Sequence, residues 1–375
     1  MSLNKTEIKT YQNFIDGEWV DGSSKEFYQV FSPANKNEIV GNFPLSTERD
    51  VEKAVYSAHR QFKKWKCLGP SERAEYIYRF IEILDKNKER LAEAATKEQG
   101  KVYKEALSEC TRGIKELRIV AGEGIRLEGI ARPSDSKRTT NVAERVPIGV
   151  IAAITPWNFP ILTPLRKIAP ALVAGCTVVL KPASNTPLSS VIIAELFEKA
   201  GLPPGTLNLV IGEGKKVGEA LVSNPLVKGV TFTGSTSVGR QINKIAAANF
   251  TKVQLEMGGK NAAVVANYKD LSGLAPQIVK AAYTNAGQRC TAISRVIVLE
   301  NQAEELENLI VDSAKKLKIG NGMDPQVDMG PLINQNAVET MEKYVELAKQ
   351  EGAKIKLGGK KLTGGIYDNG HYFEP

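Results

Sequence analysis

The chain has 375 residues, of which 42% are hydrophobic and 25% charged, with a formal net charge of +8. That length supports a large core and about two or three domains without staples, while four scattered cysteines with no C-x-x-C or zinc-like spacing exclude a disulfide framework and point to a reducing, cytoplasmic compartment. The basic residues are interleaved with acids (KKWK, then SERAEYIYRF), and with no Arg-rich tail, RNP-like motif or zinc finger they read as a solvated surface, not a nucleic-acid site.

MSLNKTEIKTYQNF lacks the apolar stretch of a signal peptide, and nowhere is there a run of about 18 apolar residues to span a membrane. YQNFIDGEWVDGSS alternates and carries turn signals, so it reads as a short hairpin. Three long amphipathic helical patterns follow: DVEKAVYSAHRQFKKW, SERAEYIYRFIEILDKNKERLAEAATKEQG with Ser71 as a fair N-cap, and YKEALSECTRGIKELRIVAGEGIR. SDSKRTTNVAERVP, residues 134–147, is polar, β-branched and flanked by prolines, and predicts exposed strands whose free edges invite an oligomer contact.

From residue 148 short apolar strands (GVIAAIT, TVVLK, LNLVIG, GVTFTG) alternate with helices (TPLRKIAPALVAG, PLSSVIIAELFEKAG, KKVGEALVS, STSVGRQINKIAAAN). This is the pattern of parallel βαβ units. Ligands of such sheets lie at the carboxyl ends of the strands, where this chain places TPWN, KPAS, GEG and GSTSVG. A second α/β portion begins near TKVQLEMGGKNAAVVA and runs through RVIVLE and two further helices, with no internal repeat.

Five segments bear chemistry. FTGSTSVG puts Gly234 and Ser235 where a helix begins, which suits a phosphate or a simple cap, although the spacing is not G-x-G-x-x-G. VVLKPAS ends a strand with Lys181, placed for a ribose or phosphate oxygen or else an ordinary surface lysine. LEMGGKN sets Glu256 in an apolar strand; burial there would raise its pKa toward that of a general base, unless it makes a structural salt bridge. TPWNFP offers the Asn158 amide either to an oxyanion or to its own turn. TNAGQRC sets Cys290 among polar residues at an element boundary, unlike Cys176 in the core-like LVAGCTVV. Cys67 and Cys110 lie on amphipathic patterns, and neither His59 nor His371 has the surroundings of a Cys–His pair.

In order and spacing, FIDGEWV, PWNFP, LKPAS, FTGSTSVG, LEMGGKN and GQRC together resemble the NAD(P)-dependent aldehyde dehydrogenase superfamily, over essentially the whole chain. The resemblance implies an α/β fold: a Rossmann-like cofactor domain (residues 1–127 and 148–257), a β-strand oligomerisation arm (128–147) and a second α/β catalytic domain (258–375). It makes Cys290 the nucleophile, Glu256 the general base, and Asn158 with the Cys290 amide the oxyanion hole. Lys181 and Ser184 fall at the adenine ribose, Gly234 and Ser235 at the pyrophosphate, and Thr155, Pro156, Trp157, Gly214 and Gly258 along the rest of the cofactor path.

The implied reaction oxidises an aldehyde to the carboxylic acid through a thiohemiacetal and a thioester on Cys290, hydrolysed by water that Glu256 activates. No histidine is required, because a carboxylate and the cationic nicotinamide favour the thiolate. Members that prefer NAD often carry Glu where this chain has Ser184; a neutral serine implies that NADP is accepted alongside NAD. KPAS resembles the semialdehyde dehydrogenases, with Arg166 and Arg289 as candidates for a substrate carboxylate, while Thr284 stands where some succinate-semialdehyde enzymes carry Arg. The expected partners are a small aldehyde and identical subunits in a homodimer or homotetramer. Members normally continue past this point with an E-x-F-G-P-type segment and a final oligomerisation strand, so the resemblance implies an incomplete catalytic domain and arm. Alternatives from the residues alone are a cofactor-independent thiol esterase and a non-catalytic binding or assembly protein.

Overall fold

The computed structural model describes residues 8–375. The reading of the N-terminus as free of a leader falls partly on residues 1–7, outside them. Strands β1 (Asn13–Ile15) and β2 (Glu18–Val20) form the expected hairpin. Asp16 (φ 57°) and Gly17 (φ 83°) close it in two residues, both left-handed, as a primed turn requires. Strands β3 (Phe27–Ser32) and β4 (Asn35–Pro44) make a separate antiparallel pair.

Four helices follow: α1 (Glu48–Trp65), α2 (Pro70–Lys86), α3 (Lys88–Gln99) and α4 (Tyr103–Gly124). The sequence had read residues 71–100 as one pattern, but the structure breaks it at Asn87, whose side-chain amide donates to the Ile83 carbonyl at 2.7 Å and ends the first helix. Nor is Ser71 an N-cap. Pro70 takes the first helical position, where its missing N–H costs nothing, and the Gly69 amide donates to the Glu72 carboxylate at 2.6 Å. Strands β5 (Ile130–Pro133) and β6 (Thr140–Ala143) pair antiparallel, with every residue exposed.

The main sheet is built from β7 (Val150–Ile154), β8 (Thr177–Lys181), β9 (Leu207–Leu209), β10 (Val227–Gly234) and β11 (Lys252–Met257), all parallel, extended by β1 and β2 in the order β11-β10-β7-β8-β9-β1-β2. Helices α5 (Leu162–Val173), α6 (Leu188–Lys199), α7 (Gly214–Ser223) and α8 (Thr236–Ala247) connect them. Alternation along β7 divides the core. Ile151 and Ala153 face the layer of α2 to α6, while Val150, Ala152 and Ile154 face α1, α7 and α8. Burial on both faces is why β7 is apolar in every position and β8 is apolar from Val178 to Leu180.

Strand β11 lies at the edge of this sheet, not in the second α/β portion. That portion pairs β12 (Asn261–Val265) with β13 (Ile293–Val298) in parallel, with α9 (Leu271–Tyr283) between them and α10 (Glu300–Ala314) packed on α9. Helix α11 (Gln335–Gln350) follows.

Candidate active site

The chain steps from β7 through β8 to β9 in one direction and then returns to place β10 on the other side of β7. Loops leaving β7 and β10 therefore diverge and open a crevice at their carboxyl ends. The cleft found there has a volume of about 1240 Å³ and is lined by all fourteen residues singled out from the sequence.

One end suits a dinucleotide. The Thr155 amide donates to the Lys181 carbonyl at 3.1 Å and ties the ends of β7 and β8 together. Pro156 and Trp157 continue the wall toward α5. Lys181 is only 3% exposed, and among the described residues the sole acceptor of its ammonium is the Pro182 carbonyl at 2.8 Å. Burial lowers its pKa to about 8. An ammonium has three donors, so two remain for a ligand. Ser184 donates its hydroxyl to the Gly212 carbonyl at 3.1 Å, leaving the oxygen free to accept. Gly214, at the start of α7, and Gly258, after β11, face open space within 4 Å of where a Cβ would stand. Gly234 ends β10 and Ser235 caps α8, so the amides of that helix's first turn open on the cleft. Buried cation, helix N-terminus and unfilled glycines fit a phosphate-bearing cofactor.

The other end holds the thiol. Cys290 is exposed in the cleft, between the turn Thr284–Gly287 and β13. Its loop is pinned from several directions. The Asn285 amide donates to both Glu105 oxygens at 3.2 Å. Gln288 donates its side-chain amide to the Pro331 carbonyl (3.2 Å) and accepts from the Ile333 amide (2.9 Å). Asn261 donates to the Cys290 and Ala292 carbonyls at 2.6 and 3.1 Å. Asn158 Nδ2 donates to the Gln288 carbonyl at 2.8 Å, which uses one of its two N–H groups. The Cys290 main-chain amide has no acceptor among the described residues. Of the other thiols, Cys110 is buried and pushed up to about 12 by desolvation, and Cys176 is buried in the core.

One expectation needs correction, and three cationic side chains need a fuller account. Glu256 is exposed, not buried, because β11 is an edge strand with alternating exposure. Arg289 lines the cleft, and its guanidinium donates one N–H to the Ala281 carbonyl at 2.7 Å. Arg166 is bound by both Nε and Nη2 to Glu116 at 2.6 Å, and these bonds, above all, hold its pKa above the ordinary arginine value. Arg112 shares Glu116 at 2.8 Å, and both arginines face the cleft. The sequence reading missed Lys167. It is buried, donates to Thr231 Oγ1 at 2.9 Å, and is lowered to about 8 by burial against the opposing charge of Glu256. The adjacent pair Arg166–Lys167 inside the otherwise apolar TPLRKIAPAL was the available signal.

A switch-point cleft that runs from a phosphate-binding helix to an exposed thiol is the layout of a dinucleotide-dependent dehydrogenase. Residues 19–375 match the profile of the aldehyde dehydrogenase family. The chain is 44% identical to the Alpha-ketoglutaric semialdehyde dehydrogenase of Bacillus subtilis over 370 residues, 99% of this chain and 76% of that protein. It is 37% identical to the NADP(+) succinate-semialdehyde dehydrogenase of Escherichia coli over 375 residues, 100% of this chain and 77% of that protein. The crystal structure of betaine aldehyde dehydrogenase from Staphylococcus aureus in complex with NAD+ superposes with a TM-score of 0.95 at 34% identity, covering 97% of this chain and 72% of that one. The chain belongs to the aldehyde dehydrogenase family and is an NAD(P)-dependent aldehyde dehydrogenase. No helix among the described residues is long and apolar enough to cross a membrane.

Proposed function

We propose that this enzyme oxidises a semialdehyde, an aldehyde that also carries a carboxylate, with Cys290 as nucleophile, Asn158 as oxyanion donor and Glu256 as general base. The observation that carries the reading is the 2.8 Å bond from Asn158 Nδ2 to the carbonyl of Gln288, two residues before the exposed thiol. It fixes a carboxamide beside the nucleophile with one N–H left to give.

The Cys290 thiolate attacks the aldehyde carbon, forming an S–C bond and an alkoxide. Asn158 and the free main-chain amide of Cys290 donate to that oxygen. When bound, the oxidised nicotinamide supplies the hydride acceptor that makes the adduct a thioester. Glu256, on the exposed edge strand, takes a proton from the water that attacks the thioester carbon. The carboxylic acid leaves and the thiol is restored. Hydrolysis by Glu256 favours an acid product over transfer to coenzyme A.

Lys181 and Ser184 hold the adenine ribose, Gly234 and Ser235 the pyrophosphate, and Thr155, Pro156, Trp157, Gly214 and Gly258 the remaining path. A neutral Ser184 admits the 2′-phosphate, so NADP is accepted. Arg166 receives the substrate carboxylate; after binding Glu116 it keeps three of five N–H donors, and Arg112 adds a second guanidinium. The names of the Bacillus subtilis and Escherichia coli relatives support the same substrate class. The exposed β5–β6 hairpin mediates a homodimer or homotetramer, and the enzyme works in the cytoplasm.

The test is cofactor reduction with NAD and NADP across paired aldehydes of equal length, with and without a terminal carboxylate. Semialdehydes should give the higher kcat/KM, and Cys290→Ala should abolish turnover. Equal rates on the uncharged partners would remove the substrate assignment, and turnover by Cys290→Ala would remove the thiol mechanism.

A further inference from the structure

Behind the loop that carries Asn158 lies a buried ion pair with no part in the chemistry above. Lys101 and Glu109 are each 2% exposed and meet at 2.6 Å. The Lys101 ammonium also donates to the main-chain carbonyl of Asn158 at 2.9 Å and stands 4.6 Å from the centre of the Phe159 ring. The second oxygen of Glu109 accepts from the amides of Ile161 (2.9 Å) and Leu162 (2.8 Å), where α5 begins. Asn285, from the nucleophile loop, adds a longer bond to the same Asn158 carbonyl at 3.3 Å.

A buried ion pair is a poor device for stability alone, since apolar side chains of similar volume often do as well or better. This one has a directed set of partners. Beyond each other, among the described residues its charged groups bond only to main-chain groups of residues 158–162. We infer that Lys101, held by Glu109, is a positioning residue for oxyanion stabilisation: it fixes the Asn158 peptide so that the carboxamide reaches both the Gln288 carbonyl and the reacting oxygen. The inference rests on the reading of Asn158 as oxyanion donor.

The experiment needs no cofactor. Acylation of Cys290 by p-nitrophenyl acetate forms an S–C bond, expels p-nitrophenolate and passes through a tetrahedral oxyanion. Alkylation by iodoacetamide displaces iodide at the same sulfur and forms none. Lys101→Met is compared with the double variant Lys101→Met/Glu109→Gln, which strands no carboxylate and keeps an acceptor for the Ile161 and Leu162 amides. Each is made with and without Asn158→Ala.

Asn158→Ala should slow acylation on the order of 10²-fold, and the Lys101 variants about 10- to 10²-fold, with alkylation within about twofold of wild type. In the Asn158→Ala background, loss of Lys101 should have no further effect, because it acts through that side chain. Effects that multiply, parallel loss of alkylation, wild-type acylation, or failure of both variants to fold would each overturn the inference alone. Wild-type acylation by Asn158→Ala would bring down the oxyanion assignment and this inference with it.

Discussion

The proposed place of Lys181 at the adenine ribose makes cofactor affinity a function of pH in a way that can be worked out beforehand. Its pKa falls from 10.5 to about 8 on burial, a desolvation cost of about 3 kcal/mol that an anionic ligand can partly return. A folded-state pKa below the unfolded one means that between pH 8 and 10.5 the unfolded chain binds more protons, so this group adds stability as pH rises through that window. Cofactor binding runs the other way. It selects the ammonium, so the dissociation constant for NADPH should be flat below about pH 7.5 and then rise about tenfold per pH unit above 8. The 2′-phosphate, with a second pKa of about 6, is already dianionic in this range and does not blur the slope. At pH 8 binding should take up about half a proton, read calorimetrically as a dependence on the ionisation heat of the buffer. The titrations are made by NADPH fluorescence in Cys290→Ser protein, so that the thiol contributes nothing. Lys181→Met should bind weakly and without the slope. Lys167, also lowered to about 8, lies in the same cleft, and Lys167→Met is the control that should keep the slope. A flat wild-type profile, or a slope that survives in Lys181→Met, would refute the reasoning.

Two further substitutions separate the remaining roles. Ser184→Glu should move the NADP/NAD ratio of kcat/KM toward NAD by at least about tenfold, because a second anion near the 2′-phosphate repels it by up to about 4 kcal/mol at contact in a partly screened site; an unchanged ratio would mean that the adenosine end lies elsewhere. Glu256→Gln should slow steady turnover about 10²- to 10⁴-fold, because the water that hydrolyses the thioester needs a base; undiminished steady turnover would remove Glu256 from the mechanism.

The sequence exposed the main architecture because period and punctuation agree there. β7 and the middle of β8 are apolar because both faces are covered, and the polar residues begin where the strands end. What stayed hidden depends on neighbours in space. KVQLEM reads the same in a central strand as at an edge, and only its pairing with β10 alone leaves Glu256 exposed. The break at Asn87 carries no Gly or Pro; a side chain competing for the Ile83 carbonyl makes it. Arg289 adjoins the nucleophile in sequence, but its direction is set by a carbonyl of α9. Lys101 and Glu109 flank the start of α4 and read as solvated charges until residues 158–162 close over them.

These differences follow a division of labour. In the proposed roles a nucleophile must meet an aldehyde and a base must meet water, and Cys290 and Glu256 both stand exposed near the ends of elements, where polar residues interrupt an apolar pattern. Groups that position Asn158 need the opposite. A hydrogen bond fixes direction only where water does not compete, so Lys101, Glu109 and Asn285 are buried, distant in sequence from the residue 158–162 segment they hold, and bonded largely to main-chain atoms. The reacting groups are therefore legible as motifs and the aiming groups are not. Substitution should separate the two: loss of a reacting group stops one chemical step, whereas loss of an aiming group lowers the steps that share the atom it aims and leaves the thiol's intrinsic reactivity in place.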